Sequence, residues 1–199
     1  MRAIKKSSET GESAAWIHVA IQQLLQEQGI SMNQIAAVAV SAGPGSYTGL
    51  RIGMATAKGL CYALQIPLIT INTLQMMAAA AAAELTSLLC PMIDARRMEV
   101  FTALYTNGLK EVMPAQALIL NNNSFAEILE TKTITFFGNG STKFQAIIQH
   151  PNAVFKTIEA NATHVAYLAH QAYTEGKIAD LAYSEPFYGK EFYSPAPKH

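Results

Sequence analysis

The apolar patterns along this chain predict an α/β protein. Two observations carry that reading. In the first half, stretches of helical period alternate with short β-branched runs, in the order helix, strand, helix, strand, helix. In the second half, closely spaced strands surround a hairpin signal. No run of eighteen apolar residues lacks a charge or a helix breaker, so no transmembrane span is expected.

The elements follow in chain order. Ala14, Ile17, Ile21, Leu24 and Leu25 form one stripe that predicts a helix over 13–28, with Gly29 as its stop. Residues 35–40 are a β-branched and alanine run suited to a buried parallel strand. Gly43-Pro44-Gly45 breaks the chain, and a helix over 48–64 ends before Pro67. A strand over 68–71 follows, and then Thr73 is placed to cap a helix centred on the alanine run 78–83, alanine being the best helix former. Strands are expected over 88–94 and 98–106. Asn107-Gly108 is a type I′ hairpin signal leading into a strand from Leu109. Beyond it come a helix over 125–130, a strand over 133–137, and helices over 142–149 and 163–174, the last closed by Gly176. The tail, 185–199, is rich in proline and aromatics and is expected to run extended. A lobe boundary near residue 86 gives an N-terminal α/β lobe, 1–86, and a C-terminal α/β lobe, 87–199.

Composition narrows the function. Half of the 199 residues are apolar, 14% are charged, and the net charge is zero. No global field draws the chain to nucleic acid or to an anionic membrane. Between Ser7 and Ile93 the cations are Arg51 and Lys58, and the anions are Glu9, Glu12, Glu27 and Glu84. A half this poor in charge is either deeply buried in its own fold or meets another protein. Cys61 and Cys90 lie far apart in apolar runs, which suits reduced buried thiols and a cytoplasmic protein. The opening residues lack the apolar core of a signal peptide.

The run Gly43-Pro44-Gly45-Ser46-Tyr47-Thr48-Gly49-Leu50-Arg51-Ile52-Gly53 joins a strand end, a glycine turn and a helix start. Gly43, Gly45 and Ser46 read either as an anion-binding turn at a helix N-terminus or as a tight turn with a capping hydroxyl, and the cap is preferred. No G-K-[ST] follows, so this is not a Walker loop. The helix beyond it is apolar almost all round. Gly49, Gly53 and Ala57, spaced four apart, would let another helix approach closely, and Trp16 and Ala20 could join the same patch. The competing reading is that neighbouring helices of this chain cover that surface.

Gly43 to Gly53, continued by Ala57-Lys58-Gly59-Leu60, resembles the signature of the TsaB family, also called YeaZ. Asp94-Ala95-Arg96-Arg97-Met98-Glu99-Val100-Phe101 is similar to the family's second hallmark, and Phe137-Gly138-Asn139-Gly140-Ser141 and Glu185-Pro186-Phe187-Tyr188 match weaker positions in order. The resemblance implies a two-lobed fold of the actin, hexokinase and Hsp70 (ASKHA) type. It also implies that the family's opening strand pair is missing, the sequence beginning near the third strand, around 2–8, with the first lobe incomplete.

As a function the resemblance implies a non-catalytic, cytoplasmic subunit without a cofactor. It would bind a TsaD-like enzyme, with a TsaE-like ATPase as a further partner, to make threonylcarbamoyladenosine in tRNA. It would meet tRNA only through the complex, pair with itself when alone, and keep away from membranes. Two alternatives stand beside it: an ATP-binding phosphotransferase of the sugar-kinase type, and a peptidase of the M22-like kind. The residues give the latter little support, because His18, His150, His164, His170 and His199 make no H-E-x-x-H and suggest no metal site. Asp94, Arg96, Arg97 and Glu99 could form an acid–base or anion site, but two arginines beside two carboxylates more simply make ion pairs at the lobe junction. Ser46 lacks a neighbouring histidine and a nucleophile elbow, so no catalytic residue is assigned.

Overall fold

The computed structural model describes residues 3–7, 13–82 and 85–189. The first half runs α1 (Ser13–Glu27), a 3-10 turn (Met32–Gln34), β1 (Val38–Gly43), α2 (Tyr47–Leu64), β2 (Leu68–Asn72) and α3 (Thr73–Ala82). The second half runs β3 (Leu88–Asp94), β4 (Glu99–Tyr105), β5 (Glu111–Ile119), α4 (Ala126–Leu129), β6 (Ile134–Phe137), α5 (Ser141–Gln145), β7 (Ala153–Phe155) and α6 (Ala162–Thr174).

Two sheets result. β1 and β2 pair in parallel, with Val38 opposite Leu68 and Ser41 opposite Ile71. The second sheet has the order β5-β4-β3-β6-β7. Its first three strands are antiparallel, while β3, β6 and β7 run parallel. Helices cover both faces of the small sheet, as a parallel sheet requires. On one face Met54, Ala57 and Cys61 of α2 pack on Leu68, Val38 and Val40. On the other, Ile69 and Ile71 meet Leu168 and Ala169 of α6 and Met76 and Ala79 of α3. α3 also serves the larger sheet, where its Leu74, Ala78 and Ala81 pack against Leu89, Ala103 and Phe137. The far face of that sheet is sealed by aromatics, with the rings of Phe136 and Phe144 at 4.9 Å and Phe125 and Phe136 at 5.3 Å, edge to face.

Several expectations are corrected in detail. β1 begins at Val38 rather than 35. α3 is capped by Asn72, whose Oδ1 accepts from the amides of Leu74 (2.8 Å) and Gln75 (3.3 Å). Thr73 instead turns its hydroxyl to Ser41 at 2.7 Å. The Asn107-Gly108 turn is not type I′, since neither residue has the positive φ that type demands. The hairpin closes with a three-residue loop, Leu109 amide to Thr106 carbonyl and Thr106 amide to Lys110 carbonyl, with Leu109 taking the left-handed position at φ 61°. Asn107 is held there by its side-chain amide, which donates to the carbonyls of Ala82 and Leu85. α5 is shorter than expected, and β7 is an addition to the expected elements. Residues 3–7 form no strand; Lys5 reaches Glu27 instead at 2.6 Å. Positions 2, 8 and 83 and the tail from 190 lie outside the described residues, in which no helix is long and apolar enough to cross a membrane.

Candidate functional site

The glycine turn after β1 is built around Gly43, which has φ 106°. A side chain there would collide with the carbonyl oxygen of Phe187, and the Phe187 amide donates to the Ala42 carbonyl at 2.7 Å. Only glycine lets these backbones approach so closely. Lys58 holds the same late segment along α2, donating to the carbonyls of Ala182 (3.0 Å) and Ser184 (3.1 Å). At its end the Tyr188 ring lies 5.0 Å from that of Tyr47, and the Arg51 guanidinium stands 5.0 Å from the Tyr47 ring centre as well. Gly43 is thus covered by the chain's own strap, Gly45 lies beside the Leu50 side chain, and Ser46 caps α2, accepting from the Gly49 amide at 3.4 Å.

The residues assigned to a partner surface divide. Ala20 and Ala57 are buried, at 6% and 4% exposure. Trp16 is half-buried, and a side chain at Gly53 would touch Val40 at 3.5 Å. Gly49 is exposed. The row of α2 that stands open is displaced from these: Thr48, Ala55, Gly59 and Tyr62, the last three residues lying three to four apart on one helical face. A Cβ at Gly59 would meet nothing within 4 Å, Tyr62 is 71% exposed, and Val19 of α1 is 51% exposed.

The turn between β3 and β4 holds the four charged residues singled out above. The Asp94 carboxylate pairs with Lys143 of α5 at 2.6 Å and accepts from the Arg96 amide at 2.6 Å. Its own amide donates to the side-chain oxygen of Asn139 at 2.9 Å. The Lys143 hydrogen bond, followed by the Arg96 amide, holds the Asp94 carboxyl below its ordinary pKa. Arg96 and Arg97 both have left-handed backbones, with φ 70° and 49°, and both are exposed. Lys143 also donates to the Glu99 carbonyl at 3.2 Å. No spacing rule could have exposed Lys143 as the partner of Asp94 across 49 residues.

Beneath this turn Cys90 is fully buried and shares its sulfur with the Thr102 hydroxyl at 3.3 Å; burial pushes its thiol up to about 12. Cys61 is also free and buried, with its thiol raised by desolvation. His150 and His164 accept local backbone amides through Nδ1, from Asn152 and Asn161 respectively. An open cleft of about 1150 Å³ lies between α3, α6 and the Asn107–Leu109 loop, and a smaller one of about 420 Å³ opens at the ends of β6 and β7.

A match to the TsaD family, tRNA N6-adenosine threonylcarbamoyltransferase, spans residues 10–186. The tRNA threonylcarbamoyladenosine biosynthesis protein TsaB of Bacillus subtilis is 35% identical over 135 residues, 65% of this chain and 58% of that protein's length. The protein of the same name from Escherichia coli is 30% identical over 178 residues, 84% of this chain and 76% of the relative. Among solved structures, YeaZ from Pseudomonas aeruginosa matches with a TM-score of 0.74 at 23% identity, over 90% of this chain and 86% of that one. A second Pseudomonas aeruginosa structure, described as similar to the peptidase YeaZ, gives 0.78 at 24%, over 89% and 84%. The fold they share is the actin-like, ASKHA type.

Proposed function

Since the chain belongs to the TsaB (YeaZ) family, within the wider TsaD family, we propose that it is a non-catalytic subunit of the assembly that makes threonylcarbamoyladenosine in tRNA. Its role is to bind a TsaD-like enzyme and support that enzyme's activity in the cytoplasm. The observation that carries the reading is the open face of α2. Ala55 and Gly59 present almost no side chain, so a partner helix can come close, and Tyr62 on the same face is an exposed anchor, with Val19 of α1 exposed as well. A docked helix would cover both Tyr62, 71% exposed, and the bare glycine beside it. The lobe boundary near residue 86 and a self-paired form of the isolated chain belong to the same proposal.

The test exploits the empty space around Gly59. A side chain started at Gly59 meets no atom of its own chain within 4 Å, so Gly59→Arg is expected to keep the fold, with an unchanged circular dichroism spectrum. Binding to the TsaD-like enzyme of the same organism, measured by calorimetry, should be lost. Full-strength binding by this variant would overturn the α2 surface, and failure of the unmodified chain to bind would overturn the subunit reading itself.

A further inference from the structure

The larger sheet changes direction at β3, which has β4 antiparallel on one side and β6 parallel on the other. In open α/β sheets ligands sit outside the carboxyl ends of the parallel strands, here β3, β6 and β7. Here three loops leave that edge together: 95–98 after β3, 138–140 after β6, and 156–157 after β7. They carry Arg96, Arg97 and Lys156, all exposed, with Lys143 of α5 between them. Asp94 is already engaged by Lys143, and neither Arg96 nor Arg97 forms an ion pair among the described residues. Asn139 gives its side-chain oxygen to Asp94, leaving its amide as a donor, and with Thr142 and Lys156 it lines the smaller cleft.

The backbone at Arg96 and Arg97 adds a separate reason. Two successive non-glycine residues with positive φ are disfavoured, and glycine or asparagine would relieve them. Strain held on exposed arginines, whose side chains do not build the core, directs attention to what the guanidinium groups hold. A planar guanidinium matches a phosphate in two-point contact.

We propose that this edge binds the phosphodiester backbone of tRNA when the chain stands in its complex, with Arg96, Arg97 and Lys156 as the contacting cations. The inference rests on the subunit reading above. The loops after β3, β6 and β7 leave the sheet in a row, the β3 and β7 loops roughly 10 Å apart at two strand spacings. A polyanion can follow such a line, whereas a lone nucleotide would use one end of it. The otherwise neutral chain explains why the contact needs the assembled complex: three cations give a weak grip alone.

The experiment titrates tRNA into the complex of this chain with the TsaD-like enzyme of the same organism, by fluorescence anisotropy over a series of salt concentrations. Arg96→Asn with Arg97→Asn should weaken Kd roughly tenfold and lower the steepness of log K against log salt by about two; Lys156→Gln should lower it by about one. The asparagine pair relieves the backbone, so its melting temperature should hold or rise, which a merely structural role for the arginines would not give. An unchanged Kd and slope overturn the inference, as does a loss confined to ATP binding with tRNA binding intact. Size-exclusion chromatography of each variant shows whether the complex forms. If even the unmodified chain forms none, the subunit reading has failed. The edge, proposed only for the assembled complex, then falls with it.

Discussion

Asp94 illustrates how one exposed carboxylate organises a turn. It receives Lys143 from α5 and the Arg96 amide from its own loop, and both favour the charged form. Its folded pKa is therefore depressed. The stabilisation is fully present above the ordinary carboxylate value of about 4 and is lost as pH falls through the lower folded value. Asp94→Asn removes that dependence. Urea unfolding should find the variant less stable than the natural chain near neutrality, with the gap closing as the solution is acidified below about pH 4. A constant gap across that range would refute the linkage. The motif around Asp94 is legible in the sequence as a charged turn, but its partner is not, because Lys143 arrives only once β6 has paired with β3.

Among the elements, α3 records most clearly what local patterns disclose. The alanine run announces a helix, and the helix forms from Thr73 to Ala82. The cap falls one residue earlier than expected because both Asn72 and Thr73 are good capping types, and tertiary contact with Ser41 claims the threonine hydroxyl. Asn72→Ala should cost about 1 kcal/mol in thermal or denaturant unfolding. A loss near zero would mean that packing alone fixes the start of the helix. Hairpin chemistry misleads for a similar reason: Asn107-Gly108 suits a two-residue turn, yet the amide of Asn107 is committed to the carbonyls that end α3 and precede β3. β7 escapes notice because three residues are too few to show a period. The open row on α2 is shifted from the expected Gly49, Gly53 and Ala57, since periodicity tells which residues share a face but not which face the sheet takes.

At the scale of the whole molecule, the sequential division into a first and a second half understates how the chain is tied together. α6, near its end, covers Ile69 and Ile71 of the first sheet, and the strap through Phe187 closes the turn at Gly43. α3 serves both sheets. A chain shortened to residues 1–160 should therefore bind the dye ANS and lose near-ultraviolet dichroism, since two apolar residues of β2 lose their cover. Native-like spectra in that fragment would show that α6 is dispensable.

Translation meets the same arrangement in time. When β2 leaves the ribosome, roughly a hundred residues must still be made before α6 can reach it, and loops that long close slowly. Until then Ile69 and Ile71 stand without the cover of Leu168 and Ala169, and apolar surface left open during synthesis is prone to aggregate.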